Sequence, residues 1–113
     1  MLHPGGVPEI SATELKARID ADDVPVLVDV REYHEKDIAD LPDLGQIRIP
    51  TREFPSRFAE LDEDADLVIY CRSGQRSEWA AQILLQSGYD RVLNLKGGVL
   101  AWRDEVDPDI AAY

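Results

Sequence analysis

Three short runs in this chain, Val26-Leu27-Val28-Asp29-Val30, Leu67-Val68-Ile69-Tyr70 and Val92-Leu93-Asn94-Leu95, are apolar at almost every position. A strand with one wet face alternates apolar and polar residues, whereas a run without alternation is covered on both faces, as in parallel sheets sheathed by helices. Helical patterns separate these runs. Ser11-Ala12-Thr13-Glu14 is a capping box, and Leu15 and Ile19 continue an apolar face, so a first helix of about ten residues follows. Phe54, Phe58 and Leu61 share one face of another helix, with Pro55 tolerated near its start. Trp79, Ala80, Ile83 and Leu84 fall at helical spacing in a segment from about Ser77 to Ser87 that stops at Gly88, and Gly97-Gly98 leads into Val99-Leu100-Ala101-Trp102. With a brief Ile47-Arg48-Ile49 strand added, the alternation predicts an α/β fold with a mainly parallel sheet.

The 113 residues suit one domain, with a core over about 8–105 and an extended tail over 106–113. A single cysteine, Cys71, excludes an internal disulfide, and two distant histidines, His3 and His34, without a Cys-x-x-Cys pair give no metal site. No cofactor motif is present either, because no Lys-Ser or Lys-Thr pair follows Gly97-Gly98 and the pair reads as a tight turn. Met1-Leu2-His3-Pro4-Gly5-Gly6 lacks the basic start and apolar body of a signal peptide, and no apolar stretch is long enough to span a bilayer. The expected location is cytoplasmic. A formal charge of -11, from 23 acids and 12 bases, argues against nucleic acid or an anionic membrane as partner, since counterion release requires clustered cations.

Arg72 and Arg76 are the local exception, and they flank the segment that follows Cys71. Cys71 ends the strand Leu67-Val68-Ile69-Tyr70, and the loop Arg72-Ser73-Gly74-Gln75-Arg76-Ser77 opens directly into a helix. Backbone N–H groups, the positive end of a helix dipole and two guanidinium groups all stabilise negative charge on sulfur. Ligands of parallel α/β sheets gather beyond the C-terminal ends of the strands, so Asp29-Val30-Arg31 is expected on the same rim. There Arg31 either pins the strand end through Asp29 or lines the rim beside Cys71. His34 reads as surface, and Trp79 and Trp102 read as core. Cys71 and Arg76 are separated by four residues. Cysteine phosphatases use Cys-x5-Arg followed by Ser or Thr, a ring one residue wider, so the smaller tenant that fits here is a second sulfur atom on the cysteine.

At this point the sequence resembles the rhodanese family of sulfurtransferases over nearly its whole length. Leu27-Val28-Asp29-Val30-Arg31-Glu32 is similar to the family's first signature, and Cys71-Arg72-Ser73-Gly74-Gln75-Arg76-Ser77 to its active-site loop. Gly88-Tyr89-Asp90-Arg91-Val92 and Leu95-Lys96-Gly97-Gly98-Val99-Leu100-Ala101-Trp102 are similar to its C-terminal signature. The resemblance implies a three-layer sandwich around a five-stranded sheet and a double displacement in which Cys71 carries sulfane sulfur from donor to acceptor. It implies that backbone N–H groups from Arg72 to Arg76 hold the transferred sulfur, that the Arg72 and Arg76 side chains attract a small anionic donor such as thiosulfate, and that Ser73 and Ser77 either add hydroxyl contacts or cap the following helix. The chain departs from the family's first signature after Glu32, where only the Ile49-Pro50 ending survives. The segment from Trp102 to Tyr113 also resembles the rhodanese modules of ubiquitin-activating-like adenylyltransferases, which hand sulfur to an acceptor protein. A low-turnover sulfur-carrying interaction module and a cysteine-dependent arsenate reductase or phosphatase are the alternatives.

Overall fold

The computed structural model describes residues 6–113; His3 and most of the segment 1–6 read above for targeting lie outside the described residues. Along the chain run β1 (Glu9–Ile10), α1 (Ala12–Asp20), β2 (Val26–Asp29), β3 (Ile47–Arg48), α2 (Phe54–Arg57), β4 (Leu67–Tyr70), α3 (Gln75–Gln86), β5 (Val92–Leu95) and α4 (Gly98–Glu105), with 3₁₀ turns at Tyr33–Asp37, Thr51–Glu53 and Phe58–Glu60. The strands form one sheet in the order β1-β5-β4-β2-β3, and every neighbouring pair is parallel. β4, which delivers Cys71, lies at the centre.

Alternate residues of the central strands enter different cores, as the two-residue period of a strand requires. Val28, Ile69 and Val92 pack with Phe54 and Leu84 on the face covered by α2 and α3, while Leu27, Val68, Tyr70 and Leu95 pack with Leu15 and Trp102 beneath α1 and α4. This double coverage explains why the runs lack polar alternation. The expected capping box forms at α1, where the Ser11 hydroxyl accepts from the Glu14 N–H at 3.0 Å and the Glu14 carboxylate accepts from the Ser11 N–H at 2.9 Å.

Two features differ from the sequence reading. α3 begins at Gln75, two residues before the expected Ser77, because Gly74 adopts φ 103° and turns the chain into the helix at once. The segment 106–113, expected to be an extended tail, instead folds back on the domain. The Asp107 N–H bonds to the Trp102 carbonyl at 2.9 Å, Arg103 Nε reaches the Ile110 carbonyl at 2.9 Å, and Ile110 and Tyr113 pack against the second core.

Candidate active site

The end of β4 and the start of α4 are locked together by close backbone approach. The Val99 N–H donates to the Cys71 carbonyl at 2.9 Å and the Leu100 N–H to the Arg72 carbonyl at 3.0 Å. Gly98 sits where this approach leaves no room: a Cβ there would lie 2.4 Å from the Cys71 oxygen and 2.6 Å from the Arg72 carbonyl carbon and oxygen. The Gly97-Gly98 pair is therefore a tight turn, as read from the sequence, and that turn fixes the backbone on which the cysteine stands.

The Cys71 side chain is buried at 1 % exposure. Its Sγ accepts from the Gly74 N–H at 3.1 Å and from the Ser77 N–H at 3.4 Å, with the Ser77 hydroxyl 3.3 Å away. Gln75, Arg76 and Ser77 are the first three residues of α3, whose N–H groups have no intrahelical acceptor. Of the expected Arg72 to Arg76 amides, that of Gly74 reaches Sγ, and Ser77, one residue beyond that range, supplies the second. Ser73 is exposed, and no contact from it to Sγ is found among the described residues.

Asn94, the one polar residue of β5, is buried at 1 % exposure behind this loop. Its Nδ2 donates to the Gly74 carbonyl at 3.1 Å and its Oδ1 accepts from the Ser77 hydroxyl at 2.6 Å. The Ser77 hydroxyl has one hydrogen, and the shorter bond assigns it to Asn94. A buried amide in an apolar strand needs such partners, and this was the sequence signal for a residue that the loop motif alone did not reveal.

The arginines are engaged rather than free. Arg76 makes a two-pronged pair with Glu35, NH1 to Oε2 at 2.8 Å and NH2 to Oε1 at 3.0 Å. The Arg76 bond is the main cause that holds the Glu35 carboxyl down at about 2, against the opposing effect of burial. Glu35 lies in a polar turn that gave no sequence sign of burial, yet it is only 7 % exposed. Arg72 donates through Nε to the main-chain oxygen of Tyr113 and stacks over the Tyr113 ring, 5.4 Å from its centroid. The Tyr113 hydroxyl in turn accepts from Arg31 NH1 at 2.8 Å and donates to Glu35 Oε1 at 3.0 Å.

Asp29-Val30-Arg31 does reach the same rim, with the Val30 N–H bonded to the Tyr70 carbonyl at 3.1 Å. The Arg31 side chain, however, is buried at 1 % exposure and directed into a strand-end network. Nε and NH2 grip both Asp29 oxygens at 2.9 and 3.0 Å, NH2 also reaches Asp40 at 3.0 Å, and NH1 donates to the Ala39 carbonyl at 2.7 Å as well as to Tyr113. With every N–H taken, Arg31 has no donor left for a ligand, and pinning is the role its geometry serves. Arg48 completes the network through Asp29 and Asp40, at 2.6 and 2.8 Å.

Trp102 is core, but Trp79 is not. The buried stripe of α3 is Ser77, Ala80, Ala81 and Leu84, and Trp79 falls beside it, 42 % exposed. It walls a cavity of about 430 Å³ with Thr51, Arg52, Gln75 and Arg76, so the cavity shares two residues with the Cys71 loop. His34 is on the surface, as expected. Among the described residues no cluster of three or more His, Cys, Asp or Glu side chains is placed to hold a metal ion, and no helix is long and apolar enough to cross a membrane.

A parallel α/β sandwich whose central strand presents one buried cysteine to a short ring of helix-start amides defines a class of small cysteine-loop domains. The chain belongs to the rhodanese-like family, whose domain profile matches residues 11–105. A sulfurtransferase of Allochromatium vinosum is 43% identical over 106 residues, which cover 93% of this chain and 96% of that protein. The maize adenylyltransferase and sulfurtransferase MOCS3-2 is 33% identical over 92% of this chain, which spans 23% of that longer protein. Among solved structures, thiosulfate sulfurtransferase from Pseudomonas aeruginosa superimposes with a TM-score of 0.73 and 31% identity over 85% of this chain and 18% of the other. The five-stranded α/β sandwich and the sulfurtransferase relationship are thereby shown.

Proposed function

We propose that the protein moves sulfane sulfur through a persulfide on Cys71, with a thiosulfate-class anion as donor. The observation that carries this is the cradle itself, in which Gly74 and Ser77 N–H groups converge on the Cys71 sulfur within a loop of four residues between Cys71 and Arg76. The Cys71 thiolate attacks the sulfane sulfur of thiosulfate, the sulfur–sulfur bond of the donor breaks, and its electron pair leaves with sulfite. A thiophilic acceptor then attacks the outer sulfur, and the electron pair of the new Cys71 S–S bond returns to Sγ. Fixed amide donors stabilise the charge on sulfur at each stage without reorganising. Arg72 and Arg76 act here as anchored positive charges, half-buried and oriented by Tyr113 and Glu35, rather than as mobile clamps.

Phosphate chemistry is disfavoured by the length of the loop, because the four residues between Cys71 and Arg76 make a ring one residue narrower than the Cys-x5-Arg loop of cysteine phosphatases. The chemistry requires a free thiol, which accords with a reducing, cytoplasmic compartment. Incubation with thiosulfate is expected to add about 32 Da, one sulfur, at Cys71 by mass spectrometry, and cyanide is expected to remove it as thiocyanate. An unmodified thiol under saturating donor refutes the proposal.

A further inference from the structure

The cavity beside the Cys71 loop is much larger than thiosulfate or cyanide requires. Its volume of about 430 Å³ lies in the range of about 300–1,000 Å³ typical of small-molecule sites, and it is a wide-open depression that an organic molecule could lie against rather than be enclosed by. Its wall is chemically specific. Trp79 gives an indole, 42 % exposed, that is held from one side by Phe54 with ring centroids 6.3 Å apart. Arg52, with a side chain 58 % exposed, forms ion pairs with Glu32 and Glu53 at 3.6 Å, which share its charge but are too long to be hydrogen bonds, so its N–H donors stay open to a ligand. Arg76 retains Nε and one N–H on each terminal nitrogen after pairing with Glu35. Gln75 and Thr51 add neutral polar groups.

We infer that this cavity holds the body of the sulfur acceptor, and that the acceptor is a small organic thiol with a planar or apolar body and a carboxylate. The inference rests on the Cys71 persulfide proposed above. The body stacks on Trp79, and the carboxylate pairs with Arg52 across the cavity. The acceptor thiol loses its proton to solvent and attacks the outer sulfur of the Cys71 persulfide. The S–S bond to Sγ breaks, Cys71 recovers its thiolate on the Gly74 and Ser77 amides, and the acceptor departs as an organic persulfide. Trp79 and Arg52 thus determine specificity, and neither belongs to the loop motif.

The test uses 4-mercaptobenzoate as acceptor, its neutral analogue 4-mercaptobenzyl alcohol, and cyanide as an acceptor with no body to stack. With persulfide-loaded protein, the ratio of kcat/KM for 4-mercaptobenzoate to that for cyanide is expected to fall about tenfold in Trp79→Ala, mainly through KM, and to recover in Trp79→Phe. In Arg52→Gln the preference for the carboxylate over the alcohol is expected to disappear. Binding of the unreactive thioether 4-(methylthio)benzoate to unloaded protein, followed by calorimetry, is expected to weaken in both Trp79→Ala and Arg52→Gln. If Cys71 loads and cyanide discharges it, but the acceptor ratio and the thioether affinity are the same in all variants, the inference is overturned while the sulfur-transfer reading stands. If Cys71 never loads, both are overturned, and the missing mass increment identifies that outcome.

Discussion

Replacing Gly98 by alanine tests whether close backbone approach, rather than chain flexibility, is what the Gly97-Gly98 turn provides. Gly98 has φ +60°, where an alanine costs about 1–2 kcal/mol. Its Cβ would also lie 2.4 Å from the Cys71 oxygen and 2.6 Å from the Arg72 carbonyl, both backbone atoms that cannot rotate away. Relief requires α4 to retreat, which breaks the Val99 and Leu100 bonds to those carbonyls, at about 1 kcal/mol each. The sum is about 3–4 kcal/mol, a large part of the roughly 5–15 kcal/mol that holds a domain of this kind together. Gly45 is the matched control: it has φ +76°, but nothing lies within 4 Å of its Cβ position, so Gly45→Ala carries only the backbone cost of about 1–2 kcal/mol. Urea unfolding followed by the fluorescence of buried Trp102, itself on α4, reports both. The Gly98→Ala midpoint is expected to fall by about 1.5–2.7 M for a slope near 1.5–2 kcal/mol per M, against about 0.5–1.3 M for Gly45→Ala. Equal shifts in the two variants refute the steric account.

Glu35 makes stability pH-dependent. Its folded value of about 2 lies below the ordinary 4.5, so its contribution is complete above pH about 4.5 and is lost as pH falls through about 2. Glu35→Gln is accordingly expected to be less stable than the parent by up to about 3 kcal/mol at neutral pH, with the gap closing in acid, which chemical denaturation across pH 2–7 measures. Asn94→Ala removes the acceptor of the Ser77 hydroxyl and the donor to the Gly74 carbonyl. A loss of about 2–4 kcal/mol and slower persulfide formation are expected by thermal unfolding and rapid-quench mass spectrometry, and an unchanged loading rate would show that the clamp does not organise the cradle.

The layered fold was legible because burial on two faces leaves a direct trace in β2, β4 and β5. β1 left none: two residues carry no period, and the strand exists through pairing, with the Asn94 N–H bonded to the Pro8 carbonyl at 2.9 Å and the Lys96 N–H to the Ile10 carbonyl at 2.9 Å. The helix read through Phe54, Phe58 and Leu61 forms as a four-residue α2 followed by a 3₁₀ turn, although Phe54 and Leu61 are buried as expected. At the site, Cys71 and its loop could be read from local order, since one contiguous segment makes the cradle. Glu35 and Tyr113 could not, because they reach Arg76 and Arg72 from 41 positions away in each direction. Trp79 was misread because helical spacing places a residue on a face without saying how wide the buried face is.

The clasp between α4 and the end of β4 also bears on when the reactive centre comes into being during folding. Gly98 lies downstream of the cysteine whose carbonyl it approaches, β5 must be in place to bring Asn94 behind the loop, and Glu35 must arrive from upstream. Every sheet pairing is parallel, so each requires a long crossover before it closes. An incompletely folded chain therefore carries an unshielded thiol with no ring of amides to receive a second sulfur. On the proposed chemistry, persulfide loading is then a property of the finished molecule, and the yield of loaded Cys71 is expected to double as a count of correctly folded chains.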